Sequence, residues 1–212
     1  EILMKVDKAA RYIGGEVNSV MKDKNDVDIR FAMCFPDVYE IGMSNLGMMI
    51  LYNMFNERED VWCERVFSPW MDLDKIMREE HIPLFALESQ EPVKEFDFLG
   101  ITLGYEMCYT NVLQVLDLSH VSLLAKDRKE DDPIVIGGGA CAYNPEPIAE
   151  FFDMFYIAPN EVVDSHRSLG LGLALCKSII NAHGGEISVL DNKPKGTVFR
   201  FTLPAEEVNL YE

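Results

Sequence analysis

One loop carries residues that could do chemistry, and it follows an apolar run. Residues 31–35 are wholly apolar, as in a strand that is buried on both faces of a sheet. The loop after this run contains the spacing Asp37-x-Tyr39-x-x-Gly42, and Gly42, Ser44 and Asn45 supply backbone freedom and a helix cap. In an open α/β sheet, ligands sit where such a strand passes into its loop, so this loop is the first candidate site.

Predicted strands and helices, which must position this loop, alternate along the first three quarters of the chain. The predicted strands cover residues 27–35, 61–66, 82–87, 97–103, 133–136 and 153–157. Helical patterns lie between several of them, at residues 46–55, 71–80 and 109–118. Alternation of this kind predicts an α/β fold, a flavodoxin-like doubly wound parallel sheet with helices on both faces.

The pattern changes after about residue 158. Residues 169–183 predict a helix that ends at Gly184-Gly185, and residues 186–190 and 197–203 predict a β-hairpin. A doubly wound domain needs a helix after its last strand to cover the sheet. We therefore expect the helix of residues 169–183 to take that place, with the hairpin at the periphery.

Composition narrows the class of protein. The chain has 212 residues, 48% hydrophobic residues and a net charge of −17, which disfavours nucleic acid and anionic lipid as partners. No run of about 18 apolar residues predicts a membrane span, and no leader pattern occurs. The five cysteines, at positions 34, 63, 108, 141 and 176, show no zinc or iron–sulfur spacing. These features predict reduced thiols, no metal site and a cytoplasmic location.

The spacing Asp37-x-Tyr39-x-x-Gly42 closely resembles the Asp-x-His-x-x-Gly signature of cobalamin-binding domains. In that family the histidine ligates cobalt from below, the aspartate orients the histidine, and the glycine lets the loop pass under the corrin. The departure here is Tyr39, because a phenol is a poor cobalt ligand beside imidazole. Cobalamin is therefore a candidate cofactor only without a protein ligand, and the alternative is that Asp37 and Gly42 simply shape the turn.

The same resemblance implies further binding positions at the ends of later strands. Thr102 occupies roughly the place of the family's middle motif, and Gly137-Gly138 the place of the glycines that flank the nucleotide tail. With Asp37, Tyr39, Gly42 and Ser44 they form the implied cobalamin-like site. A triple glycine after a buried strand could also admit a phosphate, and a tight turn before Pro145 is the alternative.

Residues 1–157 also resemble the N-terminal, cobalamin-binding-like domain of an uncharacterised radical SAM protein family. The resemblance rests on the segments 11–16, 34–44, 63–67, 105–106 and 144–147. In that family the domain precedes a barrel with a Cys-x-x-x-Cys-x-x-Cys cluster motif, which this chain does not contain. The resemblance implies a non-catalytic ligand-binding or scaffold module, whose partner is the radical SAM barrel of the parent protein.

The segment from Ser168 to Lys177, with residues 182–185 and 196–199, resembles the end of a sensor histidine kinase ATPase domain. In this resemblance Gly170 and Gly172 let a helix N-terminus approach the ATP phosphates. The family's phosphoacceptor histidine, asparagine box and adenine box have no counterpart here, so weak ATP and Mg²⁺ binding at best is expected. The alternatives are a structural helix and hairpin, or an ATP-binding and phosphotransfer protein.

The two resemblances meet at residues 152–156, which suit both families. This predicts two domains, residues 1–157 and 158–212, that derive from unrelated coding sequences. A further expectation concerns the methionines at positions 43, 48, 49 and 54, whose near-helical spacing favours core filling over a ligand site.

Overall fold

The computed structural model describes residues 2–157, 177, 180–182, 184–191 and 197–204. It divides into two units, Glu1–Ala158 and Pro159–Glu212. The first contains the element that carries the candidate loop.

A five-stranded parallel sheet forms the centre of the first unit. Strand β1 (Ile29–Phe35) pairs with β2 (Val61–Phe67) on one side and with β3 (Phe98–Thr102) on the other. Strands β4 (Ile134–Gly138) and β5 (Met154–Tyr156) complete the order β2-β1-β3-β4-β5. This order confirms the predicted flavodoxin-like α/β fold, and it makes the boundary between β1 and β3 the point where the connections reverse direction.

Four helices accompany the sheet. They are α1 (Tyr39–Gly42), α2 (Leu46–Asn56), α3 (Met71–Glu80) and α4 (Tyr109–Leu118). Asn45 caps α2 by accepting a hydrogen bond from the Met48 amide at 2.9 Å. Short 3₁₀ helices span Ile2–Met4, Ala9–Arg11, Val93–Glu95, Glu106–Cys108, Ala125–Asp127, Ala140–Tyr143 and Glu146–Phe151.

The core lies on both faces of the sheet, because β1 sends alternate side chains to opposite sides. Ala32 and Cys34 join the cluster formed with residues of α3 and α4, such as Leu73 and Val112. Met33 joins the second cluster, with Met48 and Tyr52 of α2 among its members. The wholly apolar run at residues 31–35 therefore has the environment that its composition predicts.

The predicted strand at residues 82–87 is wrong. Only an isolated antiparallel bridge between Phe85 and Pro92 forms there. The amides of this segment donate to acceptors on different elements instead of one neighbouring strand: Leu84 to Leu118, and Leu87 to Arg65. An apolar run can therefore be buried without joining the sheet, and the sequence pattern alone does not distinguish the two outcomes.

The lead-in, residues 12–22, covers the edge strand β2. The Val20 amide donates to the Tyr52 hydroxyl at 2.7 Å, and the Trp62 indole donates to the Val20 carbonyl at 3.0 Å. The Lys22 ammonium donates to three carbonyl groups, one of them that of Val61 at 2.6 Å. All seven residues of β2 are consequently buried, although the strand lies at the edge of the sheet.

The second unit contains an antiparallel hairpin of β6 (Glu186–Asp191) and β7 (Thr197–Thr202), which confirms the predicted hairpin. Of the predicted helix at 169–183, only residues 177 and 180–182 are described, and they are helical. The expected packing of that helix on the sheet lies outside the described residues. Within the described part of the chain, no helix combines the length and apolar character that crossing a membrane requires.

Candidate functional site

The loops that follow β1, β3 and β4 meet at one edge of the sheet. Register places Phe35 of β1 beside Phe67 of β2, and Thr102 of β3 beside Gly138 of β4. The carboxyl ends of the strands are thus aligned, and the predicted cobalamin-like residues gather at this edge. We call it the carboxyl edge.

Asp37 ties the loop after β1 to the loop after β3. One carboxylate oxygen accepts from the Val38 amide at 2.7 Å, and the other accepts from the Tyr105 hydroxyl at 3.0 Å. The hydrogen bond to Asp37 raises the pKa of Tyr105, so this phenol stays protonated as a donor. Asn111 adds a bond from its amide to the Pro36 carbonyl at 2.9 Å. The crevice between β1 and β3 is therefore bridged by side chains of the protein itself.

Tyr39 is held by a carboxylate from the lead-in. Its hydroxyl donates to Glu16 at 2.6 Å, and its ring meets Phe67 edge to face with centroids 5.4 Å apart. Burial, with the hydrogen bond to Glu16 as the next cause, raises the pKa of Tyr39 to about 12. The phenol is therefore neutral at physiological pH, and its one proton is already engaged.

Glu16 belongs to a buried charge network that extends away from the edge. The Arg65 guanidinium donates to Glu16 at 2.7 Å and to Glu88 at 2.6 Å, and the Arg65 amide donates to Glu88 at 2.7 Å. Burial raises the pKa of Glu88. For Glu16, burial acts in the same direction, but the hydrogen bonds from Arg65 and Tyr39 outweigh it and lower its pKa. The network fixes the lead-in beside Tyr39.

Gly42 is required by close packing. A Cβ atom at this position would lie 2.5 Å from the Phe67 ring and 2.9 Å from the Phe35 ring. Gly42 ends the single turn of α1. Because it has no side chain, the Phe67 and Phe35 rings can pack directly against it. Ser44 is exposed, and of the residues predicted to cap α2 it is Asn45 that does so.

The remaining predicted cobalamin positions also have partners inside the chain. The Thr102 hydroxyl donates to the Cys34 carbonyl at 3.2 Å and so joins β3 to β1. A Cβ atom on Gly137 would lie 2.8 Å from the Phe155 ring. Gly138 is more open, because the nearest atom to its Cβ direction is 3.9 Å away on Tyr156. Only one of the two glycines thus leaves space that a ligand could use.

These contacts do not fit cobalamin held through a protein ligand. The position of the cobalt-ligating group is taken by a neutral phenol that donates to Glu16. The aspartate that would orient such a ligand is bonded to Tyr105. Two shallow clefts among the described residues lie at the opposite edge, where Trp62 and Glu91 line one and Pro83 and Lys94 line the other.

The predicted ATP-phosphate residues Gly170 and Gly172 lie outside the described residues. Sequence reasoning missed the network of Glu16, Arg65 and Glu88. Its signal was present as Glu64 and Arg65 inside a predicted strand, since charged residues in a buried strand need partners. The sequence does not show which carboxylates those partners are.

Comparison with known proteins gives two kinds of match. The family model described as "Radical SAM proteins, N-terminal" matches residues 47–168, more than half of the chain. An uncharacterized protein of Methanocaldococcus jannaschii is 28% identical over 136 residues, which cover 63% of this chain and 24% of that protein. No solved structure matches the chain.

The second kind of match is to sensor proteins. Sensor protein KdpD of Clostridium acetobutylicum is 33% identical over 88 residues, 42% of this chain and 10% of that protein. Sensor protein SrrB of Staphylococcus aureus is 32% identical over 87 residues, 41% of this chain and 15% of that protein. The chain spans about a quarter or less of the length of these relatives. These matches confirm the resemblances to the radical SAM protein family and to sensor histidine kinases.

Proposed function

The chain belongs to the family of radical SAM proteins, N-terminal, and from this premise we propose that residues 1–157 are a non-catalytic scaffold module of a radical SAM protein. The module presents a fixed surface to the remainder of such a protein and does not hold cobalamin through a protein ligand. One observation carries this proposal. The two polar residues of the cobalamin-like motif, Asp37 and Tyr39, are bonded to Tyr105 and Glu16.

Opening this edge for a cofactor would be costly. A ligand that displaced the Tyr39 hydroxyl would deprive Glu16 of a charge-assisted hydrogen bond, a contribution of about 1.5–3 kcal/mol. A ligand between β1 and β3 would also have to break the bond from Tyr105 to Asp37. The closed edge therefore favours a scaffold over a cofactor carrier.

Exposed apolar side chains at the carboxyl edge support a partner there. Trp70 follows β2 and is 45% exposed, Met107 follows β3 and is 81% exposed, and Tyr143 follows β4 and is 57% exposed. Aromatic residues and methionine are enriched in interfaces. Three quarters of the M. jannaschii relative lies outside its match to this chain. We propose that the partner is the radical SAM barrel of such a longer protein.

The cysteine pattern supports the non-catalytic part of the proposal. Radical SAM chemistry, by the resemblance above, uses a Cys-x-x-x-Cys-x-x-Cys cluster motif, and the five cysteines of this chain do not have that spacing. Cys34, Cys63, Cys108 and Cys141 are buried free thiols. Reduced thiols also support a cytoplasmic location for the module.

Titration of the full chain with hydroxocobalamin tests the scaffold proposal. We expect no change in the corrin absorbance with the natural chain. The Tyr39→His variant is the comparison, because it restores an imidazole at the same position. A saturable spectral change with the natural chain would overturn the proposal. A change with the variant alone would identify the phenol as the reason that the natural chain does not bind.

A second candidate function, that of an ATP-binding and phosphotransfer protein of the sensor kinase type, is favoured by the similarity to two sensor proteins. The match covers about a tenth of KdpD, so most of that protein has no counterpart here. The division of the chain at Ala158 supports residues 158–212 as the separate, kinase-derived domain. Calorimetric titration with Mg²⁺ and ATP tests this candidate. We expect no saturable heat and no autophosphorylation.

A further inference from the structure

The two faces of the sheet are covered unequally. Helix α2 packs on one face, where Met33 of β1 points. Helices α3 and α4 pack on the other face, and so does the connection from β4 to β5, because Cys141 and Ile148 belong to the first core cluster. Crossovers between parallel strands are right-handed, so connections that run in opposite directions along the sheet lie on opposite faces. With the order β2-β1-β3-β4-β5, α2 is the one helix of residues 2–157 that lies on its face.

Beyond α2, the same face of the sheet continues over β3, β4 and β5, and we call this part the open face. Register gives the large side chains that lie on it: Phe98, Ile134, Ile136, Met154 and Tyr156. None of them carries a charge, and none belongs to the two core clusters of the described residues. The exposed fractions are 44% for Ile134, 53% for Met154 and 64% for Tyr156. Parallel sheets normally have both faces covered, so the open face lacks a layer.

A row of aromatic rings forms the border between α2 and the open face. Phe55 of α2 stacks on Phe31 with centroids 4.7 Å apart, and Phe31 stacks on Phe98 at 5.9 Å. The Phe31 ring also lies over Gly100, where a Cβ atom would be 2.6 Å from it. The open face is therefore a groove with α2 along one side and the edge strand β5 along the other.

The dimensions of the open face are those of one helix. Neighbouring strands lie about 4.8 Å apart, so the distance from β3 to β5 is about 10 Å, the width of a helix with its side chains. Strands β3 and β4 have five residues each. Five strand residues extend about 16 Å, which a helix of about eleven residues, or three turns, matches. A helix with apolar residues three and four positions apart would bury the open face.

We propose that the open face is the docking site of an amphipathic helix, the segment that follows the equivalent of β5 in longer radical SAM proteins. A segment that turns back at the end of β5 runs over the sheet, and the opposite face is already covered. The family match continues to residue 168, beyond Tyr156 at the end of β5. Most of the M. jannaschii relative lies outside its match to this chain. The inference depends on family membership and not on the scaffold proposal, which concerns the carboxyl edge.

Two other occupants suit the open face less well. A second copy would bring together two chains that each carry a net charge of −17 and repel one another. The helix expected at residues 169–183 lies in the part of the chain that resembles sensor kinases. Its end is beside the hairpin, because a Cβ atom on Gly185 would lie 3.0 Å from Ile180 and 2.9 Å from Leu203. The helix of a radical SAM relative has neither conflict.

Titration of a fluorescent peptide with the full chain tests the proposal. The peptide has the roughly twenty residues that follow the equivalent of β5 in the M. jannaschii relative, enough for three turns and their flanks. We expect saturable binding with a gain of helical circular dichroism, and none with a scrambled peptide. Met154→Glu places a carboxylate in the apolar contact and should raise the dissociation constant about tenfold or more. Met4→Glu is the matched control, because Met4 is 89% exposed outside the open face, and it should leave binding unchanged.

Three results would overturn the proposal. The first is the absence of saturable binding. The second is binding that Met107→Glu abolishes and Met154→Glu does not, which would place the peptide at the carboxyl edge. The third is a peptide bound as a strand, which would indicate addition to the edge of β5.

Urea denaturation of Met154→Glu separates binding from folding. Met154 is half-exposed, so we expect this variant to keep the stability of the natural chain while it loses the peptide. A loss of stability in a chain that binds no peptide would contradict the proposal in a specific way. It would show that the chain itself covers the open face, as expected at first of residues 169–183.

Discussion

Two arginines lie inside strands of the sheet, and carboxylates neutralise each of them. Arg65 of β2 is paired with Glu88 and Glu16, and Arg30 of β1 is paired with Glu64 at 2.7 Å and Glu91 at 2.5 Å. A guanidinium buried without partners would cost several kcal/mol, so the pairing is what permits charges in these strands.

The pair of Arg65 and Glu88 gives the first prediction. Glu88→Ala leaves a buried guanidinium with Glu16 as its remaining carboxylate, and we expect a loss of about 3 kcal/mol in the free energy of unfolding. Urea denaturation measures this loss. Arg58→Ala is the control, because Arg58 and Asp60 form an exposed pair, and it should change the stability little. A loss for Glu88→Ala no larger than the control would contradict the role of the network.

The second prediction concerns Glu16 and pH. Its pKa in the folded chain is lowered from 4.5, because hydrogen bonds from Arg65 and Tyr39 outweigh burial. A group of this kind contributes stability above its unfolded pKa, and this contribution disappears as the pH falls through the folded value. The natural chain should therefore exceed Glu16→Gln in stability at neutral pH, and the difference should shrink below pH 4.5. Denaturation curves at several pH values check this. A difference that grows on acidification would refute it.

At the scale of elements, the third prediction concerns the single turn of α1. Gly42→Ala would place a methyl group 2.5 Å from the Phe67 ring, and overpacking of this kind costs about 1–3 kcal/mol. Gly104→Ala is the matched control, since nothing lies within 4 Å of its Cβ direction. Thermal unfolding should show a lower transition temperature for the first variant alone. Equal effects of the two would show that the packing around Gly42 accommodates a methyl group.

At the scale of the whole molecule, β1 joins the two halves of the sheet. It pairs with both β2 and β3, yet it lies before residue 47, where the match to the family begins. The fourth prediction follows. Residues 47–157 without the preceding segment should lack a cooperative unfolding transition, because β2 and β3 would lose their shared partner. Residues 1–157 should retain one. Circular dichroism during heating distinguishes the two, and cooperative unfolding of the shorter piece would contradict this account.

The sequence was sufficient for the parallel sheet, the helices α2, α3 and α4, the hairpin and the loop at Asp37. Each of these depends on a local signal, either the period of apolar residues or a loop that follows a strand. Two expectations were wrong: residues 82–87 form no strand of the sheet, and Met43 and Met54, expected to fill the core, are exposed. Apolar residues indicate that burial is favourable. Whether they are buried, and against which element, depends on residues from distant parts of the chain.

Only the tertiary structure shows which polar groups of the candidate site are already engaged in hydrogen bonds. Asp37 and Tyr39 are close in sequence, but their partners Tyr105 and Glu16 come from other parts of the chain. The need of Gly42 for space, likewise, arises from the Phe67 ring of another strand. Local sequence patterns determined most of the helices and strands and their order along the chain. The hydrogen bonds and close packing at the candidate site depend on contacts between residues far apart in sequence, because both interactions require proximity in space.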